Sequence, residues 1–235
     1  MLVAAAVCPH PPLLVPEAMG AAGRRDGGMS EVLAACDAAV AGLAAAEPNV
    51  IVAVGGAAAS AVYDGSAAGS LREYGVGYAV GTGEPVLPLS LTVGSWLLRR
   101  AGLGAGGRLW LQAVARATPV PDCLRLGARI ARQAPRVAML AMGDGPARRA
   151  VGIERAADPA ADGYDAEVAA ALAGADPARL ARLAPSLDDE LMVAGRAAWQ
   201  VLAGAADGQR LRGRLRCATV RYEVSYLVAS WDAHG

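Results

Sequence analysis

The chain has 235 residues, 54% of them hydrophobic, which is enough to bury a large core in one or two domains. Its 22 basic residues, all arginines, balance 22 acidic residues, and this zero net charge excludes the basic surface typical of nucleic-acid-binding proteins. Neither a secretory signal nor an apolar span of about twenty residues is evident. The cysteines are widely spaced and form no metal or redox motif. We therefore expect a cytoplasmic protein with no membrane or nucleic-acid partner.

The predicted elements alternate between strands and helices along most of the chain. Apolar runs predict strands at residues 2–7, 49–54, 74–80, 108–115 and 136–142, and one or two more within 211–231. Helical spacing and capping residues predict helices from about residue 30 to 48 and at 90–101, 122–134, 162–173, 176–183 and 186–206. Because such alternation favours a mainly parallel sheet covered by helices on both faces, we predict a single three-layer α/β domain spanning residues 1–235.

The first predicted strand ends in a proline-rich segment at residues 8–17, with the sequence CPHPPLLVPE. Each proline fixes its own φ and restricts the residue before it, so the loop is stiff. His10 lies in this loop at the carboxyl end of the strand, where open α/β sheets bind ligands. Two interpretations remain open. His10 is a metal ligand or general base, or its ring hydrogen-bonds a loop carbonyl.

Two further predicted loops, at residues 55–64 and 143–149, also follow buried strands. We expect them to meet His10 in one cleft, lined by Gly55, Gly56, Tyr63, Asp64, Gly143, Asp144, Gly145, Arg148 and Arg149. Asp144 is the candidate acid/base partner of His10, and the glycines beside it would allow a ligand to approach the backbone closely. Asp and Gly equally suit an ordinary turn, and the two arginines equally suit a solvated surface. Glu223 either points into the cleft or outward.

Nucleotide-binding and hydrolase motifs are missing from these loops. Residues 55–57 read Gly-Gly-Ala and lack the GxGxxG spacing of a dinucleotide-binding loop. The chain also contains no phosphate-binding GxxxxGK[ST] motif and no GxSxG nucleophile motif.

Segment 8–17 resembles the class III extradiol ring-cleavage dioxygenases, in the branch similar to their B-type subunits. Further blocks share this resemblance in chain order: LPLSLTVG at 87–94, MGDG at 142–145, GRAAWQVLAG at 195–204 and YLVASW at 226–231. The resemblance implies the α/β fold of these B-type subunits. For active members it also implies a non-haem Fe(II) held by two histidines and a carboxylate, with another histidine as acid/base. Such a centre binds a catecholate, activates dioxygen and opens the aromatic ring.

Among the residues that the resemblance implies, only His10 matches, as the first iron ligand. The second histidine would fall at 55–57 and the acid/base histidine at 143–148, and neither segment contains one. Glu223 could be the carboxylate by location, and His234 is remote in sequence. Because two ligands hold Fe(II) weakly, we expect an incomplete site and no bound cofactor.

These observations favour a degenerate, dioxygenase-like protein that binds a small molecule, aromatic by resemblance, or a partner in the ancestral cleft. One alternative is an active oxidoreductase with Fe(II) or another divalent metal at a rebuilt site of His10, Asp144 and Glu223. In the metal-free version of that alternative, His10 and Asp144 act as acid and base. A third interpretation is a purely structural role beside a second chain, since some members of the family have two components; homo-oligomers are also compatible with the sequence.

Overall fold

The computed structural model describes residues 1–18, 27–104, 108–147 and 159–233. The strands are β1 (Leu2–Cys8), β2 (Val50–Ala57), β3 (Ala61–Asp64), β4 (Ala67–Ser70), β5 (Ala79–Val80), β6 (Thr82–Pro85), β7 (Leu109–Ala115), β8 (Val137–Met142), β9 (Leu211–Arg221) and β10 (Val224–Ala233). The helices are α1 (Gly27–Ala45), α2 (Leu89–Arg100), α3 (Val120–Ala131), α4 (Pro159–Gly174), α5 (Pro177–Ala181), α6 (Ser186–Leu191) and α7 (Arg196–Ala206). Arg148, Arg149 and His234 lie outside the described residues.

A mostly parallel sheet forms the centre of the fold. Its strand order is β3-β7-β2-β8-β1-β10-β9, and the four strands β7, β2, β8 and β1 run parallel to one another. Strand β3 pairs antiparallel with β7 at one edge, and β10 and β9 form an antiparallel hairpin at the other. The strands β5, β4 and β6 form a small separate sheet. The prediction of an α/β fold with a mainly parallel sheet is confirmed.

Helices cover both faces of the central sheet, as predicted. Alternate residues of β8 enter different hydrophobic clusters: Met139 and Ala141 face one side, whereas Leu140 and Met142 face the other. Helices α3, α4, α5 and α7 contribute to the first cluster, and α1 and α2 to the second. Burial on both faces explains why the central strands are apolar runs without polar alternation.

Three predicted elements differ from those observed. Strand β2 continues through Gly55 and Gly56, because Gly55 pairs with both β7 and β8 and Gly56 pairs with β7. The strand predicted at 74–80 is reduced to β5, since a 3₁₀ turn at Arg72–Tyr74 occupies the start of this region. The helix predicted at 186–206 is broken at Met192, whose φ of 54° ends α6 before α7 begins.

Helices α3 and α7 cross at very short range because each contributes a glycine. A Cβ atom on Gly127 would overlap the carbonyl oxygen of Val201, and one on Gly204 would overlap that of Leu124. The two glycines thus allow the backbones of α3 and α7 to come into direct contact.

We expect Gly127→Ala to lower the free energy of unfolding by about 1–3 kcal/mol, because the new methyl group forces the two helix backbones apart. The matched control is Gly163→Ala in α4, where no atom lies within 4 Å of the added Cβ. The control should stabilise the protein by roughly 0.5–1 kcal/mol, since alanine favours the helix. Urea unfolding monitored by circular dichroism measures both changes. Equal effects of the two substitutions would contradict the close crossing.

Candidate functional site

His10 and Asp144 come together at the edge where the parallel strands end, which we call the carboxyl edge. Each lies two residues beyond a strand, and those strands, β1 and β8, are neighbours. The backbone N–H of Gly143 donates to the carbonyl of Cys8 at 2.9 Å, which continues the pairing past the strand ends. The backbone N–H of His10 then donates to Oδ1 of Asp144 at 2.8 Å, and Nε2 of its ring lies 3.6 Å from Oδ2.

The His10 ring is buried but not fully hydrogen-bonded. The residue is 7% exposed, and its Nδ1 is buried without a hydrogen-bond partner among the described residues. Buried polar atoms normally have such a partner, so Nδ1 is an unused position for a hydrogen bond. The second interpretation of His10, a ring that bonds a loop carbonyl, is therefore not observed at this atom.

Strand β10 anchors the loop that carries Asp144. The Ser225 N–H donates to the carbonyl of Pro146 at 3.0 Å, and the Gly145 N–H donates to the carbonyl of Ser225 at 2.9 Å. The Ser225 hydroxyl donates in turn to the carboxylate of Asp165 on α4. A Cβ on Gly145 would lie 2.8 Å from that of Ser225, so the glycine permits this close contact. The sequence contains no signal for Ser225 or Asp165, because only the tertiary fold brings them here.

Tyr226 follows Ser225 and is buried next to Asp144. Burial raises the pKa of the Tyr226 phenol, and the negative charge of Asp144 raises this pKa further. The Tyr226 side chain therefore stays a neutral phenol at neutral pH.

A segment between α6 and α7, residues 192–195, covers the carboxyl ends of β2 and β8. We call it the edge segment. The Ala194 N–H donates to the carbonyl of Asp144 at 3.2 Å. A Cβ on Gly56 would lie 2.9 Å from the carbonyl oxygen of Ala194, and one on Gly143 would lie 2.5 Å from Cα of Gly195. These two glycines are therefore packing positions, where any side chain would push the edge segment away.

The edge segment is held in place by the buried side chain of Arg196, which is 1% exposed. Its guanidinium group donates to the Asp188 carboxylate, to the carbonyls of Arg116 and Thr118, and to the Gln200 side chain. Burial raises the pKa of the Asp188 carboxyl, whereas hydrogen bonding to Arg196 lowers it. These hydrogen bonds connect the first residue of α7 to residues 116–118, which directly follow β7.

The predicted loop at 55–64 requires a correction, since it does not form a wall of the site. Gly55 and Gly56 belong to β2, and the Ser90 hydroxyl of α2 packs on Gly55 and donates to the Gly56 carbonyl at 2.8 Å. Tyr63 and Asp64 belong to β3, with Asp64 paired to Trp110 at the start of β7. They are thus at the opposite end of the sheet from His10, and the prediction that they share its cleft is wrong. Residues 61–64 form a strand antiparallel to β7 instead of a loop. The chain therefore runs back toward the amino ends of the parallel strands and carries Tyr63 and Asp64 away from His10.

Glu223 lies at the carboxyl edge but in an exposed position. It occupies the turn between β9 and β10, with a φ of 65°, two residues before Ser225. Among residues 1–18, 27–104, 108–147 and 159–233, no group of three or more His, Cys, Asp or Glu side chains could hold a metal ion. Within that part of the chain His10, Asp144 and Glu223 therefore do not form a metal site. No helix there has the length and apolar composition needed to cross a membrane.

Three cavities lie away from His10. Those of about 720 Å³ and 370 Å³ flank the α3–α7 crossing and share Ala128, Gly204 and Asp207. One of about 340 Å³ lies between α4 and the β9–β10 hairpin and touches Asp165 and Ser225. None of the three is lined by His10, so the open pocket expected beside this residue is not among them.

Comparison with known proteins identifies the fold and leaves the activity open. No protein-family model matches the chain, and a search of curated proteins finds no match. Among solved structures, the chain is similar to the crystal structure of uncharacterized protein JW3007 from Escherichia coli K12. The similarity has a TM-score of 0.53 and covers 98% of this chain and 100% of that one at 15% sequence identity. Identity this low shows a shared fold alone.

We expect Arg196→Met to destabilise the protein by about 3–5 kcal/mol, because it leaves the Asp188 carboxylate and the carbonyls of Arg116 and Thr118 without their donor. The matched control is Arg125→Met, which breaks an exposed ion pair with Asp122 on α3 and should cost less than about 1 kcal/mol. Urea unfolding measures the loss in free energy of unfolding for both variants. A loss at Arg196 no larger than that at Arg125 would contradict the anchoring role.

Proposed function

We propose that this chain is a class III extradiol dioxygenase-like protein, of the branch similar to the B-type subunits, that has an incomplete iron centre and binds a small aromatic ligand at the carboxyl edge. The blocks of sequence that resemble this family support the proposal, as does the α/β fold with His10 at the carboxyl end of β1. Ligand sites at this edge are typical of open α/β sheets.

One observation carries the proposal: the buried, unpartnered Nδ1 of His10 beside the Asp144 carboxylate. An imidazole nitrogen can accept a hydrogen bond from a phenolic hydroxyl, or donate one to a phenolate once the ring is protonated. Asp144 holds the loop of His10 through the 2.8 Å backbone hydrogen bond and faces the other ring nitrogen. The pair thus presents one hydrogen-bonding position to a hydroxyl-bearing ligand.

The described residues do not fit the Fe(II) centre that the resemblance implies. That centre needs two histidines and a carboxylate, whereas His10 is the only histidine in the described ranges and Glu223 is at an exposed turn. The resemblance implies the missing histidines within segments 55–57 and 143–148, and Gly56 and Gly143 in these segments are packed against the edge segment. The proposed function is therefore ligand binding and not iron-dependent catalysis.

Because His10 is 7% exposed, a ligand reaches Nδ1 only if the carboxyl edge opens locally. We expect association to be slower than the 10⁵–10⁷ M⁻¹s⁻¹ that is typical of binding without a conformational change.

Binding of 4-nitrocatechol, a chromophoric aromatic diol, tests the proposal in a visible-absorbance titration. His10→Gln and Asp144→Asn should each weaken binding on the order of tenfold or more, because the first removes the imidazole that faces the ligand and the second removes the negative charge beside Nε2. Asp37→Asn is the control, since Asp37 carries an exposed ion pair with Arg100 on the face covered by α1 and α2. Elemental analysis for iron and an oxygen electrode accompany the titration.

Two results would overturn the proposal. One is no saturable binding by the wild-type chain, or equal affinity in all the variants. The other is stoichiometric iron with dioxygen uptake that disappears in His10→Gln, which would establish the active dioxygenase as the function instead.

A further inference from the structure

The turn that joins β9 and β10 has an uncommon backbone conformation. Its two central residues, Tyr222 and Glu223, have φ values of 50° and 65°, and Arg221 pairs with Val224 on either side of them. Two-residue hairpin turns with positive φ at both positions are dominated by Asn and Gly. A bulky side chain in this region is a steric outlier, and a Tyr-Glu pair is therefore strained.

This turn lies directly beside the candidate site. Strand β10 runs antiparallel to β1, so its first residues are at the carboxyl edge. Ser225, whose backbone binds Gly145 and Pro146, is two residues from Glu223, or about 7 Å of extended chain. Tyr222 is 50% exposed. The turn thus places an exposed aromatic ring at the carboxyl edge, next to the strand residue that clamps the Asp144 loop.

Strained backbone is retained where the surrounding structure gains from it, and such residues cluster at ligand-binding sites. Among the described residues, positive φ at a non-glycine position occurs at Glu47, Ala175, Met192, Tyr222 and Glu223. Met192 belongs to the edge segment, so three of these five are at the carboxyl edge. The concentration of unfavourable φ there indicates that the positions of these side chains matter.

We propose that the Tyr222–Glu223 turn is a recognition element of the carboxyl edge, in which a strained backbone presents the Tyr222 ring to the ring of an aromatic ligand. This inference rests on the proposed function. Tyr222 is a specificity-determining residue that stacks on the ligand, while Nδ1 of His10, held in place by Asp144, binds the ligand hydroxyl. Stacked aromatic pairs gain energy beyond the area that they bury, which suits a half-exposed ring at the mouth of a site.

The test replaces the turn with the pair that its backbone conformation favours. Tyr222→Asn combined with Glu223→Gly should raise the Tm by about 2–4 °C or more through relief of strain. The same double variant should raise the Kd for 4-nitrocatechol on the order of tenfold. A gain in stability together with a loss of affinity is the expected signature of strain kept for binding.

Three matched variants separate the ring from the backbone. Glu223→Gly alone relieves strain but keeps the Tyr222 ring, so the Tm should rise and the Kd should change less than in the double variant. Tyr222→Phe keeps the aromatic ring, so its Kd should also change less than that of the double variant. Glu47→Gly relieves a φ of 45° at the opposite edge, where Arg136 binds the Glu47 carbonyl just before β8, and should leave the Kd unchanged.

Failure of the proposed function and failure of the role of Tyr222 give different experimental results. Absence of 4-nitrocatechol binding by the wild-type chain overturns the proposed function and this inference with it. Normal wild-type binding with an unchanged Kd in the double variant overturns the role of Tyr222 alone. A Tm that falls or stays constant in the double variant overturns the strained-turn argument.

Discussion

The buried guanidinium group of Arg196 is the interaction on which the carboxyl edge depends. Its donors reach the Asp188 carboxylate, two carbonyls beyond β7 and the Gln200 amide, so one side chain joins α6, α7 and the end of a central strand. A buried charge is costly unless its hydrogen bonds are met, and here they are met by a carboxylate, an amide oxygen and two backbone carbonyls. The edge segment, and through it the loop of Asp144, is fixed because Arg196 cannot leave this environment.

Around that anchor, the candidate site is assembled from backbone contacts more than from side chains. Asp144 receives the N–H of His10, its own carbonyl receives the N–H of Ala194, and the loop after it is clamped by Ser225. Three separate parts of the chain thus converge on a loop of a few residues. Such over-determination keeps His10 and Asp144 in one geometry, and it also leaves little free space beside them, in agreement with the burial of the His10 ring.

The sequence predicts the elements of this fold better than the arrangement of its edge. The apolar runs of β1 and β8 and the Asp176 cap of α5, which accepts the Arg179 N–H, are encoded locally and were predictable. Pairing of the two loops that carry His10 and Asp144 followed from the parallel order of the strands. Tyr63 was misplaced because nothing in its local sequence distinguishes a loop from a short antiparallel edge strand. Ser225 and Asp165 could not be found, since their importance arises only from contacts between distant segments.

The glycines at the ends of β2 and β8 limit which residues those places can accept. A Cβ on Gly56 would lie 2.9 Å from the Ala194 oxygen, and one on Gly143 would lie 2.5 Å from Cα of Gly195. No side chain fits at either place unless the covering backbone moves first, and the hydrogen bonds of Arg196 oppose that movement. A new functional side chain at either position therefore needs at least two changes in the chain, one that loosens the edge segment and one that fills the space it leaves.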